Sequence, residues 1–124
     1  MQFQTLKLIN EILTDAGINY AFQTMNKGSV SYPYWVGEFT EQPPDTQTGY
    51  RRSNFILTGT GNGTWTELKM QKETIEGLFK DRRTILGNGS AVAFFVENAI
   101  SIPTQLDKIK RVQVNITVME WRNN

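Results

Sequence analysis

The stretch "KIKRVQVNITVMEWR", residues 108–122, alternates apolar and polar side chains along most of its length. Val112, Val114, Ile116 and Val118 share one parity, while Arg111, Gln113, Asn115 and Thr117 share the other. Successive side chains of an extended backbone point to opposite faces. The pattern therefore predicts a long strand, half buried, in an antiparallel sheet.

Two earlier segments supply further strands. "SYPYWVGEFTE" (31–41) and "YRRSNFILTGT" (50–60) are rich in aromatic and β-branched residues, and Pro33 suggests an edge position or a bulge for the first. "AVAFFVEN" (91–98) is apolar on both parities, which predicts a strand covered on both faces, and "ISIPTQLD" after it reads as loop. Between 41 and 50 lies "QPPDTQTG", longer than the ~2–5 residues of a hairpin loop and expected to form an exposed, flexible arm at about 42–50.

Helical spacing appears twice. Leu6, Ile9 and Leu13, with Leu8 and Ile12 beside them, predict a helix over 3–16, with Lys7, Asn10 and Glu11 on its wet side. Gly17 stands where a left-handed residue would end it. Thr64 and Glu67 form a capping-box pattern, and Leu68, Ile75, Leu78 and Phe79 then predict a helix over 65–80. The order α-β-β-α-β-β implies one α+β domain spanning 1–124: a four-stranded, mainly antiparallel sheet with two helices packed on one face.

Composition narrows the chemistry. Cysteine and histidine are both absent, which removes disulfides, thiolate chemistry, the usual zinc ligand sets and the side chain best suited to proton transfer near neutral pH. An enzyme is therefore not expected, and neither is a cofactor or a metal site. A net charge of +1 gives no overall field toward nucleic acid or an anionic membrane, so only a local basic patch could bind either. No run approaches the ~18 consecutive apolar residues of a membrane span. The N-terminal segment lacks a basic start followed by an apolar run, so a cytoplasmic origin is expected.

The glycine-rich stretch Gly59-Thr60-Gly61-Asn62-Gly63-Thr64 invites comparison with phosphate-binding loops. Its spacing is G-x-G-x-G rather than G-x-G-x-x-G, and Gly63 stands where a Walker loop needs lysine. It reads as a joint where the chain reverses. Glu73 and Glu76 on the second helix, with Lys69, Lys72 and Lys80, read as a solvated, ion-paired face. Glu38, Glu41 and Asp45 flank the arm and read the same way. Three basic groups occur: Arg51-Arg52, Lys80 with Arg82-Arg83, and Lys108-Lys110-Arg111. Alternation along a strand sends Lys110 and Arg111 to opposite faces and splits the last of these.

One row is less ordinary. After Arg111 the polar parity of the last strand reads Gln113, Asn115, Thr117, Met119 and Trp121. Uncharged polar groups with a methionine and an aromatic resemble the charge-depleted centre of a protein interface. The candidate contact surface is therefore Gln113, Asn115, Thr117 and Trp121, together with the arm residues Gln42, Asp45 and Gly49 and the adjoining Tyr50, Arg51 and Arg52.

"YPYWVGEFTE", the arm, "RRSNFILTGTG", "TWTELKMQKETIEGLF" and the closing "AVAFFVENAISIPTQLDKIKRVQVNITVMEWR" together resemble small tail proteins of long-tailed bacteriophages and prophages. Tail terminator (tail completion) proteins are the closest group, and the likeness covers about residues 3–122. The resemblance implies a virion protein, made in the bacterial cytoplasm, that caps the tail tube as a homo-oligomeric, hexameric ring. Its partners would be copies of itself, the tail-tube protein and head connector proteins, with DNA only passing through the lumen and no membrane involved. The alternatives are another head-tail joining or tail-tube subunit, or an intracellular nucleic-acid or small-ligand binding module with a pocket lined by the aromatics of residues 32–39.

Overall fold

The computed structural model describes residues 1–22, 31–41, 50–63 and 65–121. The chain runs α1 (Phe3–Asp15), β1 (Tyr20–Phe22), β2 (Tyr34–Glu41), β3 (Tyr50–Asn62), α2 (Trp65–Phe79), β4 (Arg82–Ile85), β5 (Ala91–Ile102) and β6 (Ile109–Trp121). The expected four-stranded sheet is corrected to six strands in the order β1-β2-β3-β6-β5-β4. Among the described residues the β1–β2 pair is parallel and the other four pairs are antiparallel. The sheet is curled into a half-barrel around the helices.

The two additional strands are short and occupy the edges. β1 enters directly after the α1 stop, where Gly17 takes φ +79° and its N–H donates to the Thr14 carbonyl. β4 follows α2 through Asp81, a non-glycine residue at φ 48°. Its hairpin to β5 closes where the Leu86 N–H donates to the Ser90 carbonyl at 2.7 Å. With β1 paired beside it, β2 is an interior strand and not an edge; Pro33 stands just before its first residue, after a cis bond from Tyr32.

The glycine-rich joint also needs correcting. β3 runs through Gly59 and Gly61 to Asn62, and only Gly63, at φ +108°, turns the chain. Gly59 is a register partner of Trp35 on β2, and a β-carbon there would lie 2.7 Å from the indole ring. The glycines of this stretch thus serve packing as much as turning. Thr64, half of the expected capping box, lies outside the described residues.

β5 is longer than expected: it continues through Ala99 and includes residues 100–102, read from sequence as loop. A bulge explains the difference. Val96 pairs with Ile116 and Asn98 with Asn115, leaving Glu97 as the extra residue. Inward positions are therefore Val92, Phe94 and Val96 before the bulge and Ala99 after it, so no single alternation covers the strand.

The core lies between the inner face of the sheet and the two helices. Ile9, Ile12 and Leu13 of α1 and Leu68, Ile75 and Phe79 of α2 are buried with Trp35, Phe55, Leu57, Val92, Phe94, Val112, Val114, Ile116 and Val118. The inward parity of β6 is as the alternation predicts, because those four residues are the ones the helices cover. Trp35 is fully buried, and its indole N–H donates to Gln71 Oε1 on α2 at 2.8 Å, which satisfies the one polar atom of the ring.

α1 lies along the opening of the half-barrel. A shallow depression lined by Leu6, Asn10, Tyr20 and Phe22 separates it from β1. On its other side a groove of about 430 Å³, lined by Phe3, Lys7, Leu8, Glu11, Thr84 and Ile85, separates it from β4. Its N-terminus has no side-chain cap of its own. The buried Glu120 of β6 acts there instead: Oε2 accepts from Thr5 Oγ1 at 2.6 Å and from the Gln2 N–H at 3.2 Å. A carboxylate at the positive end of a helix is favourably placed.

Candidate interaction surface

Both helices occupy the inner face, so the opposite face of the sheet carries no helix. The strand registers place its residues in rows. One row runs Val36, Thr58, Gln113, Ile100 across β2, β3, β6 and β5, and the next runs Glu38, Ile56, Asn115, Asn98. Below them lie Thr40, Asn54, Thr117 and Phe95. The central positions on β3 and β6, from Asn54 to Thr58 and from Gln113 to Thr117, present no formal charge on this face. Charges stand around them: Arg111, Glu38, and the Arg52–Glu97 ion pair at 3.2 Å.

The candidate residues divide as follows. Tyr50, Arg52, Gln113, Asn115, Thr117 and Trp121 share the helix-free face by parity and register. Arg51 has the opposite parity and pairs with Glu41 at 3.1 Å. Gln42, Asp45 and Gly49 lie outside the described residues, as does the rest of the arm up to Gly49. Thr117 is almost fully buried, and its hydroxyl donates to the Glu97 carboxylate that also holds Arg52. Asn115 Nδ2 donates to Asn98 Oδ1 at 2.6 Å. Tyr50 and Trp121 meet with ring centroids 5.4 Å apart. Trp121 is 39% exposed, high for an indole.

Sequence reasoning missed a hollow on this face. Two rows cross four strands, Tyr50–Trp121–Ala91–Ile85 and Arg52–Met119–Ala93–Arg83. Ala91 and Ala93 carry only a methyl group each, so the sheet surface dips between the large side chains of β6 and β4. The result is a hollow of about 600 Å³, walled by Trp121 and Met119 on one side, Arg83 and Ile85 on the other, and Phe95 at the end. Ile85 is 69% exposed. The sequence signal was there in the pair of alanines at i and i+2 of a strand, but the partner strand β4 had to be recognised before it meant anything.

The basic groups do not converge. Arg51 and Arg52 are ion-paired at the Trp121 end of the β3–β6 ladder, while Lys110 and Arg111 stand at its other end. Lys110 lies over the Trp65 ring at 5.8 Å, and Arg111 Nε donates to Thr60 Oγ1 at 3.4 Å. Glu76 of α2 pairs with Lys72 at 3.1 Å, an i,i+4 contact along the helix. Among the described residues no cluster of three or more metal-ligating side chains occurs, and no helix is long and apolar enough to cross a membrane. The pockets described above are not lined by the aromatics of residues 32–39.

No protein-family model matches the chain, and no curated protein matches it. The chemistry of this face is accordingly the guide to what it meets.

Proposed function

We propose that the chain is a structural subunit of a long-tailed bacteriophage or prophage virion, closest in kind to a tail terminator that closes the tail tube as a hexameric ring and joins it to the head. The observation that carries this reading is the helix-free face, whose centre of Thr58, Ile56, Gln113, Asn115 and Ile100 is uncharged and whose rim is charged. Depletion of charge at the centre with a charged surround is the composition of a protein contact, and a sheet face kept only for solvent more often carries charge. The resemblance of the sequence to small tail proteins supports the same role. In a ring each contact can be weak, because closure makes the last contacts intramolecular. Another head-tail joining or tail-tube subunit would use the same face.

The test is assembly. Mass photometry on the purified chain, alone and mixed with tail tubes of the same virus, should show rings, and negative-stain images should place them at one end of each tube. A chain that stays monomeric and leaves both tube ends bare would overturn the proposal.

A further inference from the structure

The β4 edge has an arrangement that the ring reading does not require. The Leu86 N–H to Ser90 carbonyl bond sets the phase of the β4–β5 ladder. In an antiparallel pair, residues alternate between bonding their neighbour and directing both backbone groups away. Thr84 and Arg82 therefore bond across to Val92 and Phe94, and Arg83 and Ile85 direct N–H and C=O to the open edge. Neither of these two makes a backbone bond to a helix or loop among the described residues.

Recesses flank this edge on both sides. On the helix-free face lies the apolar hollow floored by Ala91 and Ala93. Toward α1 lies the groove lined by Phe3, Lys7, Leu8 and Glu11, in which Phe3 is 77% exposed. Thr84 and Ile85 border both. A strand added to β4 would send alternate side chains to these two sides. Charge selects the occupant further: Arg83 is exposed and makes no ion pair with a described residue, and Arg82 donates only to the Leu78 carbonyl, at 3.5 Å. Pairing β4 antiparallel with β4 of a second copy would bring the two exposed Arg83 side chains near each other on one face of a four-residue ladder, which disfavours a symmetric dimer here.

We propose that β4 binds one extended segment of a different protein chain by strand addition, with a large apolar side chain of that segment leaning over Ile85 into the Ala91–Ala93 hollow and a carboxylate paired with Arg83. Backbone bonds to Arg83 and Ile85 would supply affinity, and the hollow and the arginine would supply selectivity.

The probe is a synthetic eight-residue peptide with phenylalanine at alternate positions and one glutamate, compared with the same peptide carrying lysine for glutamate. Amide NMR of the full chain should show shifts at Arg83, Ile85 and Ala93, slowed exchange of the Arg83 and Ile85 amides, and binding about tenfold tighter for the glutamate peptide. Arg83→Glu should reverse that preference. Ala93→Trp, which fills the hollow, should weaken the glutamate peptide at least about tenfold. Should Ala93→Trp fail to fold by circular dichroism, Ile85→Lys at the exposed rim serves in its place. Three results would overturn the proposal: no binding by either peptide, binding indifferent to these variants, or concentration-dependent shifts at β4 without peptide, which would make a second copy the occupant.

Discussion

Gly59 on β3 and Trp35 on β2 are register partners on the inner face, and the indole fills the space a β-carbon on Gly59 would need. The ring cannot retreat easily, since it is fully buried and tied to Gln71. Gly59→Ala should therefore destabilise the fold by about 1–3 kcal/mol, the cost of overpacking a filled core. Gly77 makes the opposite comparison: it lies within α2, exposed, with nothing near its absent β-carbon. Gly77→Ala should stabilise by about 0.5–1 kcal/mol through helix propensity. Urea unfolding of the two variants should give shifts of opposite sign.

Glu120 joins β6 to the first turn of α1 through Thr5 and Gln2. Glu120→Ala leaves both donors without their acceptor in a buried setting, and a loss of about 1–3 kcal/mol is expected. Glu120→Gln keeps an acceptor oxygen and should lose less than Glu120→Ala. Thermal melts of the two variants check the order.

A charge placed at the centre of the helix-free face should separate folding from assembly. Gln113, between Thr58 and Ile100, is partly exposed and lies on the helix-free face. Gln113→Lys should alter stability by less than about 0.5 kcal/mol, as surface changes generally do. On the proposed function, it should also prevent ring formation by mass photometry. Rings formed normally by this variant would show that the face is not the contact.

Burial pushes the Tyr20 phenol well above its ordinary value of 10.0. The folded chain thus holds that proton more tightly than the unfolded chain does. The resulting stability is full below pH ~10 and declines as the phenol of the unfolded chain ionises above it. Tyr20→Phe, which also faces Phe55 at 6.5 Å, should flatten the decline. Chemical unfolding between neutral pH and pH ~11 compares the slopes.

The elements most legible in the sequence were those whose periodicity survives into the fold. α1, α2 and β6 each bury one side along their length, and the parity of Val112 to Val118 is the parity of the core. Legibility failed where tertiary context decides. β1 and β4 are three and four residues long, too short for a pattern, and each exists because a neighbouring strand is already there to pair with. The Glu97 bulge shifts the parity of β5 midway, which hid its second half. Gly59 looked like part of a turn because its packing partner, Trp35, is more than twenty positions away in the sequence. On the candidate face the row Gln113–Asn115–Thr117 was visible, but its lock by Glu97, the hollow beside Trp121 and the open β4 edge all need the six-strand order.

That α1 lies along the opening of the curled sheet limits how far strand pairing can continue. The groove between β4 and the helix keeps α1 beside that edge, so a strand added to β4 would have the helix as its neighbour on that side. Strand addition of the proposed kind would then meet a helix instead of leaving a bare edge for the next strand, which is one way proteins guard a sheet edge against fibre growth.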